Sequence, residues 1–178
     1  MLKRDKVIKR QPISYSIWLM PDGYVYAKLK KKISELSNSF EGIKFVPHVT
    51  LLSGLLANEK ILINKTKIIS KKIKPFFLDF KEIDYRNEFF RSFFIKINFN
   101  SQFENARKLF CSEFSKKDED FIPHLSLAYG LLDSTLKKNL KSNICNKIKG
   151  FEIRDIFLAH NDEINYKWKV VKKFQLLK

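Results

Sequence analysis

The chain has 178 residues and a formal net charge of +16, from 35 Lys and Arg against 19 Asp and Glu. This length fits one domain, or two small lobes that share a core, and the low glycine and proline content argues against long disordered stretches. The charge favours polyanionic partners such as RNA, nucleotides or phosphorylated ligands, although lysines also serve simply to solvate a surface. No window approaches the roughly 18 apolar residues of a membrane span, so we expect no membrane insertion.

The N-terminal residues 1–11 are predicted to form a flexible basic arm, and no apolar segment of the secretory type follows them. Residues 12–178 contain no Gly-rich or Pro-rich linker and are expected to form a single domain. Cys111 and Cys145 stand far apart and outside any metal or redox spacing. We therefore expect reduced cysteines and a cytoplasmic protein, and we expect it to be a monomer.

Alternation and helical spacing of apolar residues predict the secondary structure in chain order. Strands are expected at 13–20, 44–53, 76–85, 88–98, 121–130, 151–160 and 166–176. Helices are expected at 24–40, 58–73, 101–115 and 134–147. Gly54 is expected to end the second strand, Ser101 to cap the third helix, and Asp133 or Ser134 to cap the fourth.

This order repeats: strand, helix, strand, helix, strand occurs twice, followed by a last strand. The two halves have similar lengths, and no linker separates them. We therefore predict an α+β protein built of two intimately packed lobes.

Two of the three histidines occupy the same frame of Pro, His, apolar residue, hydroxyl residue and Leu, at 47–51 and 123–127. In a strand, residues i and i+2 face the same side, which places His48 beside Thr50 and His124 beside Ser126, roughly 6–7 Å apart. A histidine on a buried strand is often only structural. The second copy, with the same flanking proline, argues against that interpretation here.

Two facing imidazoles make a matched acid and base near neutral pH, and two hydroxyls can hold the oxygens of a phosphate. That set suits in-line hydrolysis of a phosphodiester, above all a strained cyclic one. Metal binding is the competing interpretation. No Asp, Glu, Cys or third His stands at a ligand spacing from either motif, so we expect no metal and no cofactor.

The paired His-x-Thr and His-x-Ser motifs resemble those of the 2H phosphoesterase superfamily, and the residues around them resemble the cyclic phosphodiesterases of plants and yeast. The likeness extends over nearly the whole chain after residue 12 and is carried by residues 15–19, 45–51 and 121–129. It implies a bilobal 2H phosphoesterase fold. In that fold two pseudo-two-fold-related lobes of antiparallel sheet plus helices flank a central cleft.

The resemblance also implies metal-independent hydrolysis of ADP-ribose 1″,2″-cyclic phosphate, of nucleoside 2′,3′-cyclic phosphates to 2′-phosphates, or of both. By motif, His48 and His124 become the catalytic pair, and Thr50 and Ser126 the phosphate-binding pair. For the opening step His124 is preferred as the base and His48 as the acid, an assignment that the sequence leaves open.

Three further residues are weaker candidates for substrate binding. Tyr129 and Ser53 each follow a motif hydroxyl by three residues, so an ideal strand turns them away from the cleft and only a twist or bulge brings them in. Trp168 is expected either to stack on a base or to pack in the protein. Trp18 is expected in the core, and His160 as a structural or surface residue.

Two other functions stay open. The charge of +16 makes cleavage of 2′-5′-linked or cyclic oligonucleotides, or processing of RNA ends, an alternative within the superfamily. A non-catalytic RNA-binding module is the alternative from another class.

Overall fold

The computed structural model describes residues 13–116, 121–143 and 148–177. The strands are β1 (Ile13–Leu19), β2 (Val49–Leu55), β3 (Phe76–Tyr85), β4 (Phe93–Ile97), β5 (His124–Ala128), β6 (Gly150–Ile153), β7 (Asp155–Asp162) and β8 (Lys167–Gln175). The helices are α1 (Gly23–Ser39), α2 (Glu59–Ser70), α3 (Ser101–Glu113) and α4 (Ser134–Asn143). A 3-10 helix of one turn, Phe89–Arg91, precedes β4 and is called the Phe89 turn below.

The eight strands form one antiparallel sheet in the order β6-β3-β4-β5-β2-β1-β7-β8. Only Arg154 separates β6 from β7, although the two strands lie six places apart in that order. At about 4.8 Å per strand a flat sheet would hold them roughly 30 Å apart, far beyond the reach of one residue. The sheet therefore curls until its two ends approach each other.

The same order contains the predicted pseudo-symmetry. The units β1-α1-β2 and β4-α3-β5 occupy equivalent places, with β2 beside β5 in the middle and β1 and β4 outside them. The predicted α+β class is confirmed, and the sheets of the two halves are continuous through β2 and β5.

Alternation along β1 separates the two faces of the sheet. Ile17 and Leu19 are fully buried in the main hydrophobic core, whereas Ser16 and Trp18 line a cavity on the other face. On the core side, α1 contributes Leu29, Ile33 and Leu36 at helical spacing.

Several boundaries differ from the sequence predictions. The expected strand 88–98 begins with the Phe89 turn, and only Phe93–Ile97 joins the sheet. The expected strand 151–160 is two strands, because the chain leaves β3 at Arg154 to pair with β1. In sequence order β3 closes the first half, but it pairs with β4 and β6 in the second half.

Two predicted terminators were wrong. Asn100, not Ser101, caps α3, since its side chain accepts a hydrogen bond from the Phe103 amide at 2.8 Å. Gly54 does not end β2, which continues to Leu55 through a backbone φ of +67° that suits glycine. Asp133 does cap α4, accepting from the amide of Thr135 at 2.8 Å.

Some predictions fall on residues outside the described part of the chain. These are the basic arm at 1–11, Cys145 and the end of the last helix at 147. Among the helices of the described ranges, none has the length and apolar character needed to cross a membrane.

A buried arginine links α3 to both motif segments. Arg107 donates from Nη1 to the carbonyl of Leu51 at 2.6 Å, and its guanidinium lies 3.4 Å from the centre of the Phe121 ring. It thus ties α3 to β2 and to the segment that leads into β5.

We predict that Arg107→Leu lowers the free energy of unfolding by about 2 kcal/mol, because the apolar volume stays while a charged, buried hydrogen bond is lost. Urea unfolding followed by circular dichroism measures this. Lys108→Ala is the control, since Lys108 is exposed and pairs with Glu104 on the helix surface, and it should change stability by less than about 0.5 kcal/mol. Wild-type stability in Arg107→Leu would contradict the assigned role.

Candidate active site

The two motifs meet where β2 pairs with β5. The register there joins Val49 to Leu125, which are the middle residues of His48-Val49-Thr50 and His124-Leu125-Ser126. In an antiparallel pair this brings His48 alongside Ser126 and Thr50 alongside His124, all four on the face opposite to Val49 and Leu125. The four residues line one cavity of about 440 Å³, within the range of small-molecule sites.

Each imidazole is held by the same local hydrogen bond. Nδ1 of His48 lies 2.8 Å from the carbonyl oxygen of Val46, and Nδ1 of His124 lies 2.7 Å from that of Ile122. A carbonyl only accepts, so each Nδ1 carries the proton and donates it. Each Nε2 is thereby left unprotonated in the neutral ring, available to take a proton in the cavity.

Burial sets the protonation of the pair. His48 is 8% exposed, and desolvation lowers its pKa from 6.5 to about 4. The hydrogen bond to Val46 acts in the opposite direction and raises the pKa, whereas the charge of His124 lowers it further. Burial also lowers the pKa of His124, and the nearby guanidinium of Arg91 lowers it further. Both imidazoles are therefore neutral at pH 7 in the free protein.

Aromatic rings fix both imidazoles from equivalent positions. Trp18 in β1 is the partner of Thr50, and Phe94 in β4 is the partner of Ser126. The indole stacks on His48 with centroids 3.8 Å apart, and the Phe94 ring meets His124 at 5.2 Å with an interplanar angle of 62°. Trp18 is buried as predicted, but it also forms part of the cavity wall.

The two hydroxyls differ in their present partners. Ser126 is 4% exposed, donates from Oγ to the Phe90 carbonyl at 3.1 Å and is hydrogen-bonded to the Tyr129 side chain. Thr50 is half-buried, and its hydroxyl has no partner within the described residues. One hydroxyl is thus already oriented, and the other is available to a ligand.

A pair of equivalent β-bulges explains why Tyr129 and Ser53 face the cavity. Trp18 and Ile17 pair with Thr50 and Leu52, which leaves Leu51 as the extra residue in β2. Phe94 and Phe93 pair with Ser126 and Ala128, which leaves Leu127 as the extra residue in β5. Each bulge shifts the alternation by one residue.

As a result, the residue three positions after each hydroxyl turns back into the cavity. Tyr129 is 7% exposed and lines it, and burial raises the pKa of its phenol, which stays a hydrogen-bond donor. Ser53 is exposed and lies at the cavity edge. The geometry required for both predicted contacts is therefore present.

Trp168 also lines the cavity, as one member of an aromatic wall. Its ring lies 5.7 Å from that of Tyr129 and 6.3 Å from that of Phe90. His160, in contrast, is not a cavity residue: it packs edge-on against Tyr15 at 5.2 Å, in agreement with a structural role.

Among the cavity residues that sequence reasoning missed, four lie outside β1 and the two motif segments, namely Phe90, Arg91, Asn161 and Glu163. Asn161 donates from Nδ2 to Ser16, while its buried Oδ1 has no partner in the described part of the chain. None of the four belongs to a repeated motif, and they come together only through the Phe89 turn and the curl that brings β7 and β8 to the cleft. The one available signal in the sequence was Asn161, a polar residue next to the apolar part of β7.

The described ranges contain no cluster of three or more His, Cys, Asp or Glu side chains with the geometry of a metal site. Around the two motifs the cavity offers two imidazoles, two aliphatic hydroxyls and the phenol of Tyr129. This set is suited to proton transfer and to hydrogen bonding of an oxyanion.

Comparison with known proteins agrees with this geometry. Residues 13–178 match the family model described as cyclic phosphodiesterase-like protein. The chain belongs to this family. It is a phosphodiesterase of the 2H phosphoesterase superfamily, so the predicted enzyme class is confirmed.

Individual relatives are similar to this chain in sequence or in fold. A cyclic phosphodiesterase of Arabidopsis thaliana is 25% identical over 126 residues, which is 70% of each chain. The apo crystal structure of E. coli LigT superposes with a TM-score of 0.63 at 13% identity, over 95% of this chain and 100% of LigT. TT0787 of Thermus thermophilus gives a TM-score of 0.61 at 16% identity, over 92% of this chain and 97% of TT0787. The predicted 2H phosphoesterase fold is confirmed.

We predict that the pKa of His48, measured by NMR titration of its ring signals, is about 4. Because this value lies below that of the unfolded chain, the unfolded state binds more protons, and His48 destabilises the fold as the pH falls from 6.5 towards 4. This loss amounts to about 3 kcal/mol at most. A pKa of 6.5 or more in the folded protein would show that the ring is not desolvated.

Proposed function

We propose that this protein hydrolyses cyclic phosphates with His48 and His124 as a general acid and a general base. The observation that carries the proposal is the Val49–Leu125 register, which sets two identically oriented imidazoles on one face with a hydroxyl beside each. No other cluster of acid–base groups in the described residues has this arrangement.

The phosphate would occupy the space between the four side chains. Thr50 donates its hydroxyl proton to one non-bridging oxygen, and Ser126 turns its proton from the Phe90 carbonyl to another while Tyr129 holds its Oγ in place. Both hydroxyls then meet the charge that develops on the phosphoryl oxygens in the transition state.

The reaction needs one neutral and one protonated imidazole. The neutral Nε2 takes a proton from water as the water oxygen attacks phosphorus, and the ring P–O bond opposite to it breaks. The protonated imidazole gives its proton to the departing alkoxide oxygen. One water is consumed, a phosphate monoester forms, and the two histidines have exchanged protonation states.

Assignment of the two roles depends on the bound substrate. Burial lowers the pKa of both imidazoles, to about 4 for His48, so neither ring is protonated at pH 7 in the free protein and the acid must take up its proton when the substrate binds. The sequence-based preference, with His48 as the acid, therefore requires the anionic phosphate to draw that proton to His48. This preference stays a prediction.

For the substrate, we propose ADP-ribose 1″,2″-cyclic phosphate, nucleoside 2′,3′-cyclic phosphates opened to the 2′-phosphate, or both. The name of the Arabidopsis thaliana relative, a cyclic phosphodiesterase, supports this class. Crystal structures of E. coli LigT contain 3′-AMP, NADP+ and ATP. The cavity of this chain has aromatic walls beside the proposed phosphate-binding site, on which a nucleotide base can stack. We further propose a monomeric, cytoplasmic enzyme that needs no metal.

We predict that His48→Ala and His124→Ala each reduce kcat/KM on adenosine 2′,3′-cyclic phosphate by at least about 100-fold, because each removes a proton carrier. The assay follows formation of adenosine 2′-phosphate, and far-UV circular dichroism checks folding. His160→Ala is the matched control and should keep wild-type activity, since His160 lies outside the cavity.

Two results would contradict this mechanism. One is wild-type activity in either cavity variant. The other is strong inhibition by excess EDTA, which would point to a metal-dependent reaction in place of the paired imidazoles.

A second candidate, cleavage of 2′-5′-linked or cyclic oligonucleotides or processing of RNA ends, is favoured by the charge of +16. Rates on cyclic mononucleotides, ADP-ribose cyclic phosphate and 2′-5′ oligoadenylate separate the two. A preference for the oligomer that falls steeply with salt would favour the second.

A further inference from the structure

Arg91 introduces a positive charge into the cavity beside the proposed phosphate seat. It lines the cavity from the Phe89 turn, and its side chain is 27% exposed. Nε and Nη2 both donate to one carboxylate oxygen of Glu88, at 2.7 and 2.6 Å. This contact uses two of the five N–H groups of the guanidinium and fixes its plane, and within the described residues the remaining three have no partner.

The Phe89 turn is fixed from several sides. Ser126 donates to the Phe90 carbonyl, and the amide of Gly130 donates to the Phe89 carbonyl at 2.9 Å. The amide of Arg86 donates to the carbonyl of Arg91 at 3.1 Å. Arg91 is therefore held at a set distance from Ser126.

A buried lysine adds to this support. Lys137 of α4 is 1% exposed, and its ammonium donates to the Arg86 carbonyl at 3.1 Å and to Oδ1 of Asn87 at 2.7 Å. Burying an ammonium group without a carboxylate partner is costly unless its hydrogen-bond acceptors are held in place. The two hydrogen bonds of Lys137 therefore fix the position of residues 86 and 87, which lead into the Phe89 turn.

An aromatic series runs outward from the same wall. The rings of Tyr129 and Trp168 lie 5.7 Å apart, those of Trp168 and Tyr166 lie 6.3 Å apart, and Tyr166 stacks on Phe89 at 5.2 Å. Tyr129 is 7% exposed and Tyr166 is 36% exposed, so the series leads from the cavity to the surface. Tyr166, at the exposed end of the series, is the ring on which a base from solvent can stack.

We propose that Arg91 and Tyr166 form a second-nucleotide subsite for the phosphate and base attached to the 5′ oxygen of the ribose that carries the cyclic phosphate. Arg91 binds the 5′-linked phosphate through its three remaining donors, and Tyr166 stacks on the base beyond it. This inference rests on the proposed function.

The chemistry fits two kinds of substrate. In an oligonucleotide with a terminal cyclic phosphate, the 5′ oxygen carries a phosphodiester and a second nucleoside. In an ADP-ribose cyclic phosphate the 5″ oxygen carries a pyrophosphate and an adenosine. Both present an anion and a base beyond the reacting ribose.

The test compares kcat/KM for adenosine 2′,3′-cyclic phosphate, its 5′-phosphorylated form, the dinucleotide ApA 2′,3′-cyclic phosphate and ADP-ribose 1″,2″-cyclic phosphate. We expect Arg91→Ala to reduce kcat/KM about 10- to 100-fold on the substrates with a 5′-linked phosphate and less than about threefold on the plain mononucleotide. Arg91→Lys keeps the positive charge but loses the planar set of paired N–H donors, so its kcat/KM should lie between those of the wild type and Arg91→Ala. The extended substrate whose kcat/KM falls more in Arg91→Ala has the linkage, phosphodiester or pyrophosphate, that the subsite binds.

Tyr166→Ala should reduce kcat/KM about tenfold, and only on the two substrates that carry a base beyond the 5′-linked phosphate. Arg154→Ala and Tyr24→Ala are matched controls, because both side chains are exposed and lie outside the cavity. Neither control should change the ratio between substrates.

Equal loss on all four substrates in Arg91→Ala would overturn the proposal and assign Arg91 to the reacting phosphate. No loss on any of them would also overturn it. If the wild-type protein hydrolyses none of the four, the proposed function itself fails, an outcome distinct from either result with Arg91.

Discussion

The backbone pairing of Val49 with Leu125 is the contact on which the site depends. Either motif alone is a strand with one histidine and one hydroxyl, and neither can hold a phosphate between an acid and a base. Pairing about the middle residue of each motif makes the two copies one site with approximate two-fold symmetry. Both middle residues are fully buried, so the same hydrophobic core that stabilises the fold also fixes the distance between the two imidazoles.

Local devices then repeat on both sides of this pair. The backbone carbonyl two residues before each histidine sets its tautomer, and the bulge at Leu51 or Leu127 turns a later side chain into the cavity. The symmetry ends at the aromatic neighbours, where an indole stacks on His48 and a phenyl edge meets His124. Burial lowers the pKa of both imidazoles, to about 4 for His48, which is the more deeply buried of the two.

The repeated motif made the central four residues, the fold class and most elements predictable from sequence, because frame and alternation are local properties of the chain. The split at Arg154 and the pairing of β3 with the second half were not predictable, since they follow from closure of the curled sheet. Arg91 and Asn161 were missed for the same reason: each enters the cavity through a long-range contact. Tyr129 and Ser53 depended on bulges, which the sequence allowed without requiring.

The most direct test of the paired-imidazole account is the pH dependence of kcat/KM on a cyclic phosphate. A reaction that needs one protonated and one neutral histidine predicts a bell-shaped pH profile of kcat/KM, since both rings are protonated at low pH and both are neutral at high pH. Burial lowers both pKa values, so the maximum should lie between about 4 and 6.5. Bound phosphate raises both pKa values, which should move the kcat profile to higher pH. A kcat/KM that stays level from pH 6 to pH 9 would contradict the account, because no imidazolium would then remain to protonate the leaving oxygen.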